Sequence, residues 1–436
     1  MDDIAVAGNL TEGATTVNYG SRAMAALRVS SGNFLEMYDF MVFGYYASAI
    51  GKAFFPNGSE FASLLLALMT FGVGYLMRPL GAIVLGSYTD RVGRRKGLIV
   101  TLALMSVGTV LLACVPGFHL IGVAAPILVV TGRLIQGFSA GAELGSVSVY
   151  LSEIASPKTK GFWVSWQSAS QQLAVIFAAV LGLTLSQYLG ADQMKAWGWR
   201  IPLLIGLALV PFLFLLRRSL TETDAFAARK VHLTLKQVFA TIGQNFGVIL
   251  TGMLMVVMTT VTFYLITAYT PTFGKTVLKL KEFDTMLVTV CVGASNFIWL
   301  PISGWLSDRI GRKPIMIGVT LLAILSAYPV LLWLTSSPSF TNLLIAELWL
   351  SFLFGSYNGA MVVYLTEVVP PHVRASGFSL AYSLATCVGG FTPAVVTSLI
   401  ESTHDKAMPG VWLSGAAILG LIGTLISKPY KSKGLA

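Results

Sequence analysis

A charged segment that occurs twice, half a chain apart, constrains the fold of this sequence more than any other feature. The first copy reads GSYTDRVGRRK at positions 86–96, and the second reads GWLSDRIGRK at positions 304–313. The interval between them is 218 residues in a chain of 436, and long apolar segments flank both copies. A charged segment repeated in the same hydropathy context indicates an internally duplicated membrane protein.

The apolar segments are numerous enough for a chain that crosses a membrane many times. Hydrophobic residues make up 55% of the chain and charged residues 11%, against about 25% charged residues in ordinary globular proteins. A helix needs roughly 20 residues to cross a hydrocarbon core of about 30 Å. Runs of this kind predict twelve spans, at 27–50, 63–85, 97–115, 121–144, 162–189, 199–216, 246–270, 284–306, 314–334, 341–364, 375–400 and 409–427.

Twelve spans and a duplicated segment predict the fold class. We expect an all-α integral membrane protein in which two pseudo-symmetric six-helix bundles, 1–216 and 246–436, surround a cavity at mid-membrane. Residues 217–245 form the one long polar connector between them. A second repeated motif, YLSEI at 150–154 and YLTEV at 364–368, supports the same division.

The distribution of cations predicts the orientation in the membrane. Of the 29 Lys and Arg residues, 20 lie in the N-terminal tail, the even-numbered loops and the C-terminal tail, and 7 lie in the odd-numbered loops. The positive-inside rule therefore places both termini and the connector in the cytoplasm. The same distribution explains the net charge of +10 without a nucleic-acid partner. The polar segment 1–21 lacks a basic n-region and is not expected to be a cleaved signal peptide.

The residue pattern does not support an enzyme or an ATP-driven pump. The three cysteines lie in apolar runs, and the four histidines lie in loops without metal or triad spacing. No G-x4-G-K-[ST] segment occurs, so an ATP-driven pump is disfavoured. The sequence predicts no catalytic residue, no metal site and no cofactor.

Five of the charged residues inside the predicted spans of the first half are candidates for function: Glu36, Asp39, Arg78, Arg133 and Glu143. A charge at the bilayer centre costs about 2.5–3.5 kcal/mol on insertion scales, so intramembrane charges are functional candidates. Asp39 and Arg133 each lie about twelve residues into a span, about 18 Å deep at 1.5 Å per residue. Structural pairing is the alternative, although buried ion pairs stabilise a fold no better than apolar residues.

The types of these residues suggest their roles. Arginine offers a planar fork of donors for carboxylates, so Arg78 and Arg133 are predicted to bind an anion. A membrane carboxylate without a counter-ion is destabilised when charged, which suits a proton carrier; Asp39 is the first candidate, with Glu36 and Glu143 as alternatives. The second half carries one carboxylate well inside a span, Glu347.

Neutral polar residues in the spans are the other candidates for substrate contact. Each of them could equally hydrogen-bond between helices. The predicted set is Gln136, Gln171, Gln172, Tyr264, Asn296, Asn358 and Tyr382.

The repeated charged segments are predicted to be short loops that gate the cytoplasmic side of the membrane. Cations beside carboxylates at helix ends form ion pairs that must break when that side opens, although the cations could also serve topology alone. The predicted gating residues are Asp90, Arg91, Arg94, Glu153, Asp308, Arg309, Arg312 and Glu367.

The spacing G-x3-D-R-x-G-R-R/K in both copies resembles the signature of the major facilitator superfamily. Four further stretches resemble its metabolite–proton symporter family: GNFLEMYDF (32–40), MRPLGA (77–82), GRLIQGFSAGAELG (132–145) and RRSLTET (217–223). Within that family, SWQSASQQ (165–172) and the segment around YLSEI look most like the citrate–proton symporters and their tricarballylate-transporting relatives.

This resemblance implies a secondary active transporter that works by alternating access. It implies uptake of a tricarboxylate, most simply citrate, across a bacterial inner membrane, with protons as the coupling ion. The chain is expected to be a monomer in the lipid bilayer. A tricarballylate, dicarboxylate, or zwitterion and osmolyte symporter is the alternative. Two arginines at membrane depth disfavour neutral sugars, whereas the residues alone do not exclude a channel or a sensor.

Overall fold

The computed structural model describes residues 32–92, 94–141, 143–218, 235–370 and 374–430, and most of them are helical. The first half contains ten α-helices and a π-helix at Met194–Gly198 among the described residues. They are α1 (Gly32–Tyr45), α2 (Ala47–Phe54), α3 (Glu60–Leu76), α4 (Arg78–Val92), α5 (Arg94–Cys114), α6 (Phe118–Ile121), α7 (Ala124–Ala140), α8 (Glu143–Ile154), α9 (Lys160–Gln193) and α10 (Arg200–Arg218).

The second half begins with a short helix in the connector and contains one further π-helix, Leu265–Tyr269, in the part that the structure describes. Its helices are α11 (Leu235–Gln244), α12 (Phe246–Tyr264), α13 (Thr270–Thr276), α14 (Glu282–Ile310), α15 (Arg312–Ser336), α16 (Phe340–Val368), α17 (Arg374–Gly390), α18 (Thr392–Thr403) and α19 (Met408–Ile426).

The helices follow the predicted spans. Within the described ranges, nine helical segments are long and apolar enough to cross a membrane. The three remaining predicted spans, 27–50, 97–115 and 121–144, are occupied by α1–α2, α5 and α7–α8, which carry more charge or are shorter; 27–31 lie outside the described residues.

Several spans are broken near their middle, and proline accounts for three of the breaks. The chain turns at Met77 before Pro79, at the π-helix before Pro271, and at Phe391 before Pro393. Proline has no N–H to donate and clashes with the preceding turn, so a helix bends or restarts there. These breaks bring backbone and polar side chains of several spans towards the middle of the molecule.

The repeated charged segment is helical in its second copy, not a loop as its composition suggests. The helix α14 runs through Asp308 to Ile310, and α15 starts at Arg312. Only Gly311 separates them, with φ of 100°, a backbone conformation that side-chain-bearing residues rarely adopt. In the first copy, Gly93 occupies the same place and lies outside the described residues.

Glycines bring α3–α4 and α7 into direct backbone contact. A Cβ added at Gly137 would lie 1.6 Å from the carbonyl oxygen of Gly74, and one at Gly81 would lie 1.9 Å from that of Phe138. Small residues let membrane helices approach closely enough to gain packing contacts. This contact fixes the helix pair that carries Arg78 and Arg133.

We predict that Gly137→Ala destabilises the folded protein, because its Cβ meets backbone that has no room to move. Overpacking of this kind costs about 1–3 kcal/mol or more. Gly318→Ala is the matched control, since a Cβ at Gly318 meets nothing within 4 Å. Thermal unfolding in detergent should show a lower melting temperature for Gly137→Ala alone. Equal melting temperatures would contradict the observed packing.

The two halves meet along α9 and α14 on one side, and along α17 with α3, α4 and α8 on the other. The π-helix Leu265–Tyr269 also contacts α1. A polar cavity lies between these contacts, as the next subsection describes.

Candidate functional site

A cavity lies between the two halves. Its lining is contributed by both halves, and five of the predicted substrate-binding residues belong to it: Arg78, Gln171, Tyr264, Asn358 and Tyr382. The remaining lining residues are Met37, Leu144, Thr260, Phe263, Phe354 and Thr386. We call this space the central cavity.

Arg78 is the cation of the central cavity, at the first position of α4. Its Nη2 atom forms an ion pair with Oε1 of Glu36, and both side chains are buried. The guanidinium carbon also lies 5.1 Å from the ring centre of Phe40 and 4.8 Å from that of Tyr75. Among the described lining residues, Arg78 is the one with a charged side chain.

Asn358 offers unused hydrogen-bonding capacity to the same cavity. Its side chain is 1% exposed, and among the described residues neither its amide nitrogen nor its amide oxygen has a hydrogen-bond partner. Buried amides are normally bonded, so an unsatisfied one facing a cavity points to a ligand or to water. Donors and acceptors of this kind suit the hydroxyl and carboxyl oxygens of a small anion.

Arg133 is fully buried and does not belong to the lining of the central cavity. Its guanidinium carbon lies 4.2 Å from the ring centre of Phe40, 4.6 Å from that of Phe43 and 5.4 Å from that of Phe71. A desolvated cation–π contact contributes about 2 kcal/mol or more. Its Nη1 donates to Oε1 of Gln136 at 2.9 Å.

Asp39 lies directly beyond Gln136, so three predicted residues form one chain. Its Oδ2 atom accepts from Nε2 of Gln136 at 3.3 Å and from the hydroxyl of Thr109. Its Oδ1 atom has no hydrogen-bond partner, and the carboxyl group forms no ion pair within the part of the chain that the structure describes. Asp39 is therefore a fully buried carboxyl group that reaches Arg133 only through an amide.

Glu143 lines a second, smaller cavity. Both Glu36 and Glu143 line this cavity, together with Leu35, Thr101, Leu102, Met105, Ser139 and Ala140. The hydroxyl of Thr101 donates to Oε1 of Glu143 at 2.8 Å. We call this space the side cavity; it links two of the three candidate proton carriers.

Gln172 and Asn296 lie outside the central cavity, in the contact between α9 and α14. Nδ2 of Asn296 donates to Oε1 of Gln172 at 3.1 Å, and the hydroxyl of Ser351 donates to Oδ1 of Asn296 at 2.7 Å. These two residues therefore connect the two halves of the molecule by a hydrogen bond.

A second group of predicted residues meets at the end of the molecule that carries the repeated segments. The carboxylate of Asp308 accepts from the backbone N–H groups of Gly161 at 2.8 Å and Phe162 at 3.1 Å, in the first turn of α9. These N–H groups have no partner within their own helix, and the helix dipole favours an anion there. A residue of the second half thus caps a helix of the first half.

Arg312 ties this cap to a further helix. Its guanidinium lies 2.8 Å from Asp308 and 3.4 Å from Glu367, at the end of α16. The backbones also touch there, because a Cβ at Gly304 would lie 2.4 Å from the carbonyl oxygen of Gly161. We call Asp308, Arg312 and Glu367 the latch.

The other predicted gating residues do not join the latch in the described part of the chain. Arg309 lies over the ring of Trp305, with its guanidinium carbon 4.0 Å from the ring centre. Glu153 is exposed. The side chains of Asp90, Arg91 and Arg94 lie outside the described residues.

The two halves also touch at the opposite end. A Cβ at Gly72 would lie 2.4 Å from the ring of Phe391, and one at Gly44 would lie 3.2 Å from Cβ of Ala268 in the π-helix. Contacts between the halves therefore flank the central cavity at both ends.

Some partners in this site carry no signal in the sequence. Thr109, Thr101 and the rings of Phe40, Phe43 and Phe71 sit in apolar runs where hydroxyls and aromatics are common. Only the spacing between Arg133 and Gln136, three residues on a helix, indicates that those two side chains share a face.

Comparison with known proteins identifies the family. The model of the Major Facilitator Superfamily matches residues 29–394. The chain belongs to this superfamily. The resemblance of the repeated segment is thereby confirmed, as is the prediction of an all-α, multi-pass membrane transporter rather than an enzyme.

Curated relatives of this transporter are similar over almost its whole length. It is 58% identical to a citrate-proton symporter of Salmonella typhi over 94% of this chain and 95% of the relative. It is also 58% identical to a citrate-proton symporter of Klebsiella pneumoniae, over 93% and 91% of the two chains. A proline/betaine transporter of Escherichia coli strain K12 is 31% identical, over 97% and 86%.

Solved structures show the same fold. A crystal structure of a D-xylose-proton symporter matches with a TM-score of 0.74 at 17% identity, over 92% of this chain and 96% of that chain. A partially occluded, inward-open structure of the xylose transporter of E. coli matches with a TM-score of 0.73, over 93% and 98%.

Proposed function

We propose that the transporter is a citrate–proton symporter that takes up citrate across a bacterial inner membrane. The observation that carries this proposal is the central cavity, where one arginine faces neutral hydrogen-bonding groups in a chain 58% identical to citrate-proton symporters. The coupling ion is the proton, and no other cofactor takes part. The working unit is a monomer.

Citrate binds in the central cavity through Arg78. A citrate carboxylate competes with Glu36 for the guanidinium, because both groups are anions that fit the same fork of donors. Asn358, Gln171, Tyr264 and Tyr382 supply hydrogen bonds to the remaining oxygens. The helices that line the central cavity are held in place by four residues outside its lining: Arg133, Gln136, Gln172 and Asn296.

Protons and citrate are coupled in the first bundle. Asp39 carries the proton, since its fully buried carboxyl group has no counter-ion in direct contact within the described chain. When citrate takes Arg78, the ion pair between Glu36 and Arg78 is lost, which disfavours the charged form of Glu36 inside the membrane. The side cavity provides the route by which a proton passes from Glu36 to Glu143 and leaves.

Alternating access moves the bundles 1–216 and 246–436 against each other, with both termini and the connector 217–245 in the cytoplasm. The latch then closes the cytoplasmic side, because it joins α9 of one bundle to α14, α15 and α16 of the other. Labelling with impermeant reagents should reach Arg229→Cys only from the cytoplasm. Labelling from outside the cell would contradict this orientation.

We predict that Asp308→Asn slows citrate uptake several-fold and leaves the dissociation constant for citrate within about threefold of the wild-type value. A charge-assisted hydrogen bond is about twice as strong as a neutral one, so the variant weakens the inward-closed state without touching the central cavity. Glu401→Gln, which neutralises an exposed carboxylate at the other end, is the control. Equal losses of rate and affinity in Asp308→Asn would indicate a folding defect instead of a gate.

Uptake by purified protein in proteoliposomes tests the function itself. We expect labelled citrate to accumulate when a pH gradient, acidic outside, is the only driving force. Unlabelled citrate should compete best among citrate, tricarballylate, dicarboxylates, proline and glycine betaine. Stronger competition by proline or betaine would favour the alternative that the relatives at about 31% identity represent. Absence of pH-driven uptake of any of them would overturn the proposal.

A further inference from the structure

The second bundle contains a buried carboxyl group that the mechanism above does not use. Glu347 lies in α16 and is 4% exposed. Its Oε1 atom is 2.8 Å from the hydroxyl of Thr270, and its Oε2 atom has no hydrogen-bond partner among the described residues. A charge in this position would be costly, so such a group is a candidate for function.

Thr270 connects this carboxyl group to the π-helix Leu265–Tyr269, which it directly follows. Its hydroxyl oxygen lies 2.9 Å from the carbonyl oxygen of Ile266 and 3.3 Å from that of Leu265. The next residue, Pro271, has no N–H to offer this turn. The Thr270 hydroxyl is therefore a donor that the broken part of the helix needs.

A hydroxyl has one hydrogen, and this one has a carboxyl oxygen and helix carbonyls within reach. If Glu347 is protonated, it donates to Thr270, and Thr270 donates to Ile266. If Glu347 is ionised, Thr270 must turn its hydrogen to the carboxylate, and the carbonyl of Ile266 loses that donor. The protonation state of Glu347 thus selects the hydrogen bonding of the π-helix.

Because of its position, a change in the hydrogen bonding of this π-helix can affect contacts between the two bundles. Its residue Ala268 packs against Gly44 of the first bundle. The following helix α13 lines an opening through Pro271 and Thr272, and Tyr46 and Lys52 of the first bundle line the same opening. Glu347 lies seven residues, about 10 Å along α16, from Phe354 in the central cavity. The π-helix therefore separates this opening from the central cavity.

No charged partner competes for Glu347 in the described part of the chain. Several titratable groups lie on the neighbouring elements, near the end of α16 that contains Glu347. They are Tyr188 and Asp192 on α9, Tyr269 and Lys275 around α13, Glu282, Asp284 and Cys291 on α14, and Tyr328 on α15. Lys275 pairs with Glu282, and Tyr328 donates to Asp405 at 3.0 Å. Thr397 lies 2.9 Å from the hydroxyl of Tyr269.

We propose that Glu347 is a second proton-binding site of the transporter and that its protonation closes the outer side through Thr270 and the π-helix. This inference rests on the proposed function in one respect: the transporter must alternate between an outward-open and an inward-open state. Protonated Glu347 holds the π-helix against α1, and loss of the proton loosens this contact. The first bundle then couples the proton to citrate, and the second couples it to the outer gate.

Distance measurements between spin labels test this without citrate or transport. Gly58→Cys and Ser337→Cys place labels on exposed loops at the outer ends of the two bundles, in a background without the three native cysteines. We expect the population of the longer distance to rise about threefold or more between about pH 6 and pH 8. Glu347→Gln should keep the short distance at both pH values, while Glu401→Gln, which neutralises an exposed carboxylate, should respond as the parent does.

Paired substitutions at Thr270 keep the test valid if Glu347→Gln fails to fold. Thr270→Val removes the hydroxyl and should abolish the pH response, whereas Thr270→Ser should retain it. A pH response that persists in Glu347→Gln or in Thr270→Val would overturn the proposal, as would a response to sodium at constant pH. Failure of citrate uptake with these distances unchanged would count against the proposed function alone.

Discussion

Replacing Asp39 with asparagine is expected to abolish the accumulation of citrate driven by a pH gradient while preserving citrate–citrate exchange. Asparagine is nearly isosteric and still accepts from Thr109, so the fold should persist. It holds no exchangeable carboxyl proton, so citrate transport is no longer coupled to the proton that Asp39 carries. Exchange needs no net proton movement and should continue. Both activities are measured with labelled citrate in the same proteoliposomes.

Thr109→Val is the matched control for Asp39→Asn. It removes a hydrogen bond to the carboxyl group but leaves the proton carrier in place. We expect pH-driven accumulation to survive in this variant with a shifted pH dependence. If Asp39→Asn still concentrates citrate under a pH gradient alone, Asp39 is not the carrier, and Glu36 and Glu143 are the next candidates.

The second large effect is expected at Arg78. Arg78→Lys keeps a positive charge but loses the fork of donors, and Arg78→Gln loses the charge as well. Removing one partner of a desolvated, hydrogen-bonded charge pair costs about 2–5 kcal/mol, which is roughly a thirtyfold loss of affinity or more. Citrate binding to purified protein, measured by calorimetry, gives this number directly.

Glu36→Gln distinguishes two reasons why Arg78 variants could lose affinity: loss of a direct contact with citrate, or loss of a buried ion pair. This variant breaks the same pair from the other side but leaves Arg78 available. We therefore expect citrate affinity at or above the wild-type value. If Arg78→Lys and Glu36→Gln weaken citrate binding equally, the pair is structural and citrate binds elsewhere.

Features that depend on composition and spacing along the chain could be predicted from the sequence. Span length and hydropathy are local properties, and the predicted spans coincide with helices of the described chain, nine of which are long and apolar enough to cross a membrane. The duplicated segment predicted the superfamily fold because it repeats at half the chain length. The sequence did not predict that this segment is helical. The structure shows that a single residue, Gly311, is enough to separate α14 from α15.

Contacts between residues far apart in the chain could not be read in the same way. Five charges at similar depth indicated a site, but not that Glu36 pairs with Arg78 while Asp39 turns to Thr109 and Gln136. The rotation of each helix decides which side chains meet. Arg133 has the same residue type as Arg78, and only the packing of α7 against α3 and α4 turns it away from the central cavity.

Proton uptake on citrate binding tests most directly whether substrate and proton meet in the first bundle. Purified protein is titrated with citrate in weakly buffered solution with a pH indicator, at a pH where citrate itself is fully ionised. We predict that the wild-type protein takes up protons as citrate displaces Glu36 from Arg78, and that Glu36→Gln and Asp39→Asn take up fewer. Equal proton uptake by all three proteins, or none by the wild-type protein, would contradict the account.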